Sequence, residues 1–357
     1  MAKGTFSFKM NLDQILNKNT LTKEEIVLLL NLTDQNDQQK LFDRADEVRA
    51  FYCGDEIHLR GIIEFSNHCD QNCIYCGLRA GNSNLSRYRM NSEEIIETAR
   101  AISNQGIYTI VLQSGEDRFY DTDLIAYIIY SIKQKVDVAI TLCLGERGFD
   151  EYRAWKIAGA DRYLLKHETA NPNLYAKYHS NQKLEDRLNH LNVLKSIGFQ
   201  IGSGNMIGLP MQKVEDIADD ILLCKGLNLD MAAFGPFISS PDTPYYDQQA
   251  GEVDLTLRTM AVARLVLKNV HIPATTALAT LNSEARIKGL QSGANIVMPD
   301  YTPSPYRELY QIYPNKMCIN DNPVGCKSCL QLQVESIGRK ISDSRGDSLK
   351  IPNHSAV

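Results

Sequence analysis

The chain has 357 residues, of which 43% are hydrophobic, and a net charge of −5. That is enough length for one large α/β domain or two ordinary ones, and enough apolar material for a real core. There is no basic run, no basic stripe interleaved with aromatics, no bilayer-length apolar stretch and no apolar leader after Met1, which argues against nucleic-acid binding, membrane insertion and secretion and leads us to expect a cytoplasmic protein.

Residues 1–54 read as helical and charged. Thr20 or Thr22 can cap a helix over 23–32 with Glu24 and Glu25 in its first turn, and a second helix is predicted over 38–52. This segment is expected to pack as a lid or base on the remainder of the chain. From residue 57 short apolar runs alternate with helical stretches. The strand-like runs are 57–66, 109–114, 138–144, 162–168, 200–207, 230–237, 272–278 and 295–298. Helices are predicted between them over 92–104, 121–134, 149–158, 184–196, 214–225, 255–267 and 283–292. Such alternation predicts an α/β fold of the (β/α)8 TIM-barrel type, with an open doubly wound sheet as the alternative. The organisation expected is an N-terminal helical segment over 1–54, a barrel over 55–305, a cysteine-containing segment over 306–337, and a loosely packed polar tail over 338–357.

Six of the nine cysteines fall into two groups, Cys69/Cys73/Cys76 and Cys318/Cys326/Cys329, while Cys53, Cys143 and Cys224 stand alone. In a reducing compartment such grouping favours metal over disulfides. The first group comes directly after the first strand with C-x3-C-x2-C spacing, which fits three corners of a 4Fe–4S cubane. No fourth cysteine lies nearby downstream, so one iron is left open to a ligand. A zinc knuckle or buried structural thiols are the alternatives, but zinc pairs usually read C-x2-C twice and need a fourth ligand.

Barrel enzymes place their chemistry at the C-terminal ends of strands, and the polar motifs of this chain fall there. The second strand ends in Gln113-Ser114-Gly115-Glu116-Asp117. The third carries Thr141 and ends at Gly145-Glu146. The fourth ends in Lys166-His167-Glu168-Thr169, and the fifth passes through Gly204, Met206 and Gly208. Gly115 would let backbone approach a ligand, and Ser114 or Glu116 can accept from an ammonium group, although the same residues would also suit a plain N-capped turn. Period-2 alternation puts Arg162, Leu164, Lys166 and Glu168 on one face. An inward row of ionised groups must pair internally or meet a charged ligand. His167 falls on the opposite face and reads as a helix contact. Thr141, Thr275, Thr276 and Met298 can line a deeper cavity, and Cys143 reads as a small buried hydrophobe.

These residues together resemble a known family. An aromatic residue, Tyr75, just before the last cysteine is similar to the signature of radical S-adenosylmethionine (SAM) enzymes, and Arg87-Tyr-Arg89-Met90 to their biotin-synthase-like branch. Gln113–Asp117, the run 161–171, Gly235-Pro-Phe-Ile238, Pro241-Asp-Thr-Pro244, Ile272-Pro-Ala-Thr-Thr-Ala277, Met298-Pro299 and Thr302-Pro-Ser-Pro-Tyr-Arg307 resemble the HydE type of FeFe-hydrogenase maturase, over about residues 57–340. The resemblance implies a 4Fe–4S cluster on Cys69, Cys73 and Cys76 whose open iron chelates SAM, and production of a 5′-deoxyadenosyl radical. It implies SAM contacts from Tyr75, Gln113, Ser114, Gly115, Glu116, Glu168, Arg187 and Met206. Substrate contacts are implied for Thr141, Arg162, Lys166, Thr275, Thr276 and Met298. The implied substrate is a small organometallic iron species, the electron donor a flavodoxin or ferredoxin, and the further partners other hydrogenase maturases. Cys318, Cys326 and Cys329 resemble an accessory site for a second iron–sulfur cluster. Lys166 departs from the arginine usual in the family; it keeps the charge and loses the planar fork.

Overall fold

The structure, a computed structural model, describes residues 12–179, 182–319 and 323–350. The expectations for 1–11 and 351–357 lie outside the described residues. The strands are β1 (Glu56–Leu59), β2 (Gly61–Ser66), β3 (Thr109–Ser114), β4 (Ala139–Cys143), β5 (Arg162–Leu164), β6 (Gln200–Ile207), β7 (Met231–Pro236), β8 (Ile296–Val297) and β9 (Lys340–Ile341).

β2 to β7 form a parallel sheet in sequence order. The sheet curls shut through short contacts. Met231 bridges His271, Pro273 bridges Ile296, and β8 pairs with β1 through His58–Ile296 and Leu59–Val297. Ile62 then bridges Asp300, so β1 and β2 act as one strand interrupted at Arg60. The predicted barrel is the fold. β3 and β6 match their predicted ranges, because both are mainly apolar or small residues of the kind a doubly covered parallel strand requires. The seventh run is corrected: only His271 and Pro273 pair, because the Thr275 hydroxyl caps a helix over Thr276–Leu281 and draws the chain out of the sheet.

Helices cover the outer face. Ser92–Asn104 begins with a capping box between Asn91 and Glu94 and buries Ile95, Ile96, Ala99 and Ile102 at helical spacing. At the N-terminus Thr22, not Thr20, is the cap of Lys23–Leu30, and Glu25 completes its capping box. This helix and Gln35–Cys53 pack along the side of the barrel against Val253–Leu267 rather than over its mouth, with Arg258 Nε donating to Leu30 O at 2.8 Å.

The tail over 338–350 is not loose. β9 pairs with β1, and residues 345–348 enter the barrel floor. Arg162 Nη2 donates to Asp347 Oδ1 at 2.7 Å and Arg345 O at 2.9 Å, and Thr109 Oγ1 donates to Arg345 O at 2.7 Å. His271 Nε2 lies 2.9 Å from Asp347 O, and Ser348 reaches Gln200 and Asp230. Thr109, Arg162 and Gln200 each open a strand, and their exposed polar ends supply what the polar tail bonds to.

The floor buries His58, which packs edge-on to His271 with ring centroids 5.3 Å apart. Burial, then the neighbouring Arg60 cation, hold His58 neutral down to about 4. The unfolded chain takes up that proton near the ordinary value of about 6.5. Above that pH both states are neutral; as pH falls below it only the unfolded state protonates, and stability is lost until about pH 4. We expect urea midpoints to fall across this window. His58→Gln should remove a share of that pH dependence worth up to about 3 kcal/mol.

Candidate active site

Between β2 and helix Ser92–Asn104 the chain has almost no regular structure, and it carries Cys69, Cys73 and Cys76. Its backbone polar groups are satisfied by side chains instead. Arg87 donates to four carbonyls: Asn67 O at 2.5 Å, Leu78 O at 2.9 Å, Arg79 O at 2.8 Å and Asn82 O at 3.2 Å. The Asn67 amide donates to Ser86 O and Leu309 O, both at 2.8 Å, and its oxygen accepts from Tyr88 N at 2.8 Å. Arg89 grips Asp117 with two bonds of 2.7 and 2.9 Å, and Ser66 Oγ donates to the same carboxylate at 2.7 Å. The end of β3 is thereby tied to the cysteine loop.

Cys69 Sγ accepts from the backbone N–H of Gln71 and of Glu116, each at 3.4 Å. Burial pushes all three thiols up, Cys76 to about 12, and the like charge of neighbouring thiolates adds to it for Cys73 and Cys76. A metal that takes these thiols as thiolates must therefore displace their protons. Among the described residues no three His, Cys, Asp or Glu side chains converge as the ligands of one metal ion do.

Beside the loop a cavity of about 380 Å³ opens at the C-terminal ends of the strands. Cys69, Tyr75, Cys76, Gln113, Ser114, Gly115, Lys166, Glu168, Met206, Thr275, Thr276 and Met298 all line it, as does Cys143. Gly115 is required where it stands: a Cβ there would lie 2.2 Å from His68 O and 2.7 Å from Cys69 Cβ. Lys166 Nζ is 3.1 Å from Glu168 Oε2. Tyr75 Oη bonds His179 Nε2 at 2.9 Å; burial holds that imidazole neutral down to about 4. A cavity of this size lies in the range of small-molecule sites, roughly 300–1,000 Å³. The buried thiols with their N–H donors, and the open backbone at Gly115, fit a cluster with a bound cofactor beside it.

Other expected site residues stand off the cavity. Cys73 remains in the loop, partly buried beside the other two thiols. Both oxygens of Glu116 are used, accepting from Glu146 N at 2.9 Å and Gln71 Nε2 at 2.6 Å. Arg187 is buried with Glu146 Oε1 at 2.5 Å and Lys166 O at 2.7 Å, so its fork braces the wall behind Lys166. Thr141 and Arg162 border a separate void of about 10 Å³ at the floor, the room of one water. His167 bonds Ser203 and faces the helices.

Among the cavity residues that were not expected are Phe237 and Ile238 after β7, and Tyr310, Ile312 and Tyr313 from a strap over 304–319 that crosses the mouth. Besides the Asn67 bond to Leu309 O, the strap is tied down at Ile312 and at Lys316. Gly77 N donates to Ile312 O at 2.8 Å, where a Cβ on Gly77 would lie 2.0 Å from Gln311 O. Lys316 is buried between Glu64 and Asp300, and its Nζ is 2.9 Å from Asp300 Oδ2. An aromatic-rich segment after the last barrel strand was the one available signal for it.

Comparison with known proteins bears on this geometry. A model of the Radical SAM superfamily matches residues 63–224. The [FeFe] hydrogenase maturase subunit HydE of Thermotoga maritima is 48% identical over 325 residues, covering 91% of this chain and 93% of that protein. The chain belongs to the HydE family of radical SAM proteins. A 3-methylornithine synthase of Methanosarcina acetivorans is 27% identical over 287 residues, covering 80% of this chain and 81% of that protein. Among solved structures, methylornithine synthase (PylB) superposes with a TM-score of 0.80 at 23% identity, over 93% of this chain and 97% of that one. The maturase HydG from Carboxydothermus hydrogenoformans gives 0.75 at 20% identity, over 91% and 78%. These two share the fold. Membership of the radical SAM family implies a 4Fe–4S cluster and SAM, together with a source of electrons. Among the described residues no helix is long and apolar enough to cross a membrane.

The second cysteine group lies apart from the cavity lining. Cys326 and Cys329 are one turn apart on helix Pro323–Ser336, Cys329 exposed, and Cys318 precedes them at φ +64°.

Because four carbonyls depend on one guanidinium, Arg87→Lys should keep the charge and still loosen the cysteine loop. We expect iron and sulfide per chain after anaerobic reconstitution to fall several-fold, as about 1 kcal/mol is lost for each missing bond. The thermal midpoint should move far less.

Proposed function

We propose that this protein is a radical SAM maturase of the HydE type, acting in assembly of the diiron cofactor of FeFe hydrogenase. Supporting this reading most directly is the meeting of Cys69, Cys76 and the strand-end residues on one cavity, with Cys73 in the loop beside it, in a chain 48% identical to a HydE maturase.

In this reading Cys69, Cys73 and Cys76 hold three irons and leave the fourth for the amino and carboxylate groups of SAM. Cluster and SAM, when bound, supply a 5′-deoxyadenosyl radical; the protein contributes position and exclusion of water. Gly115, Ser114 and Gln113 would hold the methionine end, and Tyr75 and Met206 the adenosine. Lys166 and Glu168 neutralise each other in the free protein. The methionine end would offer each a new partner, Glu168 the N–H donors of the amino group and Lys166 a carboxylate oxygen, so that neither charge would be left bare on binding. Arg187 and Glu116 contribute from behind, by fixing Lys166 and the cysteine loop. Thr275, Thr276 and Met298, with Tyr310 and Tyr313 of the strap, would surround a small organometallic iron substrate. The threonine and tyrosine hydroxyls offer hydrogen bonds without adding charge. Phe237, Ile238 and Ile312 keep the lining dry. A flavodoxin or ferredoxin would deliver the electron, and other maturases would exchange the substrate or product. Cys318, Cys326 and Cys329 would carry a second iron–sulfur cluster that the core reaction does not use.

With dithionite, the anaerobically reconstituted wild type should cleave SAM to 5′-deoxyadenosine, and Cys73→Ala should yield none. Expression of the wild type should restore hydrogenase activity in a host lacking its own HydE-type maturase. Deoxyadenosine without restoration would leave the radical chemistry standing and remove the maturase role. Cys326→Ala should retain most of the deoxyadenosine yield; collapse with the first cluster still loaded would contradict an accessory second site.

A further inference from the structure

Glu168 reaches the cavity from a backbone conformation that few acidic residues adopt. Its φ is +63°, and Thr169 N donates to His167 O at 2.7 Å, closing a three-residue turn with Glu168 at its centre. This positive-φ form of the γ-turn is rare and strained, and it persists only where its surroundings over-determine it. The end of the side chain pairs with Lys166 in the cavity, a contact that leaves the backbone of the turn unfixed.

The restraint comes from behind the wall. Glu168 N donates to Gly204 O at 3.0 Å, which fixes the centre of the turn to β6. On the leading side, Ser203 Oγ accepts from His167 N at 3.0 Å and lies 2.9 Å from His167 Nδ1. On the trailing side, Ala170 N donates to Asp220 Oδ1. The other oxygen of Asp220 accepts from Asn205 Nδ2 at 2.5 Å, and His167 Nε2 is 3.5 Å from Oδ1. One carboxylate, fully buried on helix Val214–Gly226, thus touches the residues on both sides of the turn and the strand beneath it.

We infer that Asp220 is a positioning residue for the SAM site, holding Glu168 in its strained turn through Ala170, His167 and Asn205 without touching the cavity. The inference rests on Glu168 being a SAM contact, as proposed above. A carboxylate is suited to the task because it only accepts, and all three groups facing it carry N–H donors. An amide in its place keeps only one acceptor oxygen where the carboxylate has two, so the N–H groups of Ala170, His167 and Asn205 can no longer all be met as they stand. The turn is then free to relax toward negative φ, which carries the Glu168 carboxylate away from its position.

The test is SAM affinity of the anaerobically reconstituted protein, read by calorimetric titration, with iron content and thermal midpoint measured alongside. Asp220→Asn should weaken SAM binding roughly tenfold while iron content is unchanged. Glu168→Gln should also weaken binding, and the double variant should bind no worse than Glu168→Gln alone, because Asp220 acts only through Glu168. Wild-type affinity in Asp220→Asn, or losses that add in the double variant, would overturn the inference while leaving the proposed function intact. A wild type that does not bind SAM would remove both. Should Asp220→Asn fail to fold, Ser203→Ala carries the same comparison from the leading side of the turn, with a several-fold loss expected and the same non-additivity with Glu168→Gln.

Discussion

Three metal ligands sit on a stretch of chain with no ladder or helix to hold it, and everything above the barrel depends on how that stretch is made rigid. A single guanidinium, Arg87, gathers carbonyls from Asn67, Leu78, Arg79 and Asn82, so the loop folds around a planar donor instead of into secondary structure. The arrangement needs the five fixed donors of arginine; a point charge cannot serve four acceptors in different directions. Once the loop is set, the neighbouring elements must conform to it. Gly115 and Gly77 are two places where backbone comes so close that no side chain fits, and they mark where β3 and the strap press on the loop from either side.

The C-terminal segment works on both ends of the barrel. Its strap crosses the mouth and is held by Lys316 between Glu64 and Asp300, while residues 345–348 close the floor around Arg162. Both anchors bury charge, which is expensive unless the partners are complete. Here they are balanced: two cations, Lys316 and the nearby Arg307, stand against two carboxylates at the mouth. At the floor Arg162 and Arg345 share Asp347, and Arg345 also reaches Asp161. Placing these charges at the ends leaves the space between them to be lined chiefly by Met206, Phe237, Ile238, Met298 and the threonines, with one ion pair at the ligand end.

How much could be read from the amino-acid sequence was decided by which patterns are local. Strand and helix existence came from periodicity, and Cys69, Cys73 and Cys76 from spacing; both are properties of neighbouring residues. The alternation over 162–168 told the face correctly, since Leu164, Lys166 and Glu168 all border the cavity. It could not tell height. Arg162 opens β5, at the floor, and the strand ends after three residues, so the same inward face meets the tail at one end and the ligand site at the other. Arg187 and Glu116 were charged and near the motifs, but whether such a group meets a ligand or another side chain depends on residues far off in sequence, here Glu146 and Gln71. The strap was illegible for a related reason: nothing local to Tyr310 or Tyr313 says that the chain turns back over the mouth, because that is decided at Gly77, Glu64 and Asp300.

The same division explains why the fold alone does not name the reaction. PylB and HydG share this fold at 23% and 20% identity, under the different names of methylornithine synthase and hydrogenase maturase, so the barrel alone does not decide the reaction. Discrimination has to come from what each chain adds inside that scaffold. In this chain the interior offers the Lys166–Glu168 pair held by a strained turn, the two threonines at the start of helix Thr276–Leu281, and the tyrosines of the strap. Lys166 and Glu168 face each other as an ion pair at the ligand end. A lining that otherwise supplies shape, hydroxyls and dryness suits a reaction in which the reactive species is generated on a cofactor and must be kept from everything except its target.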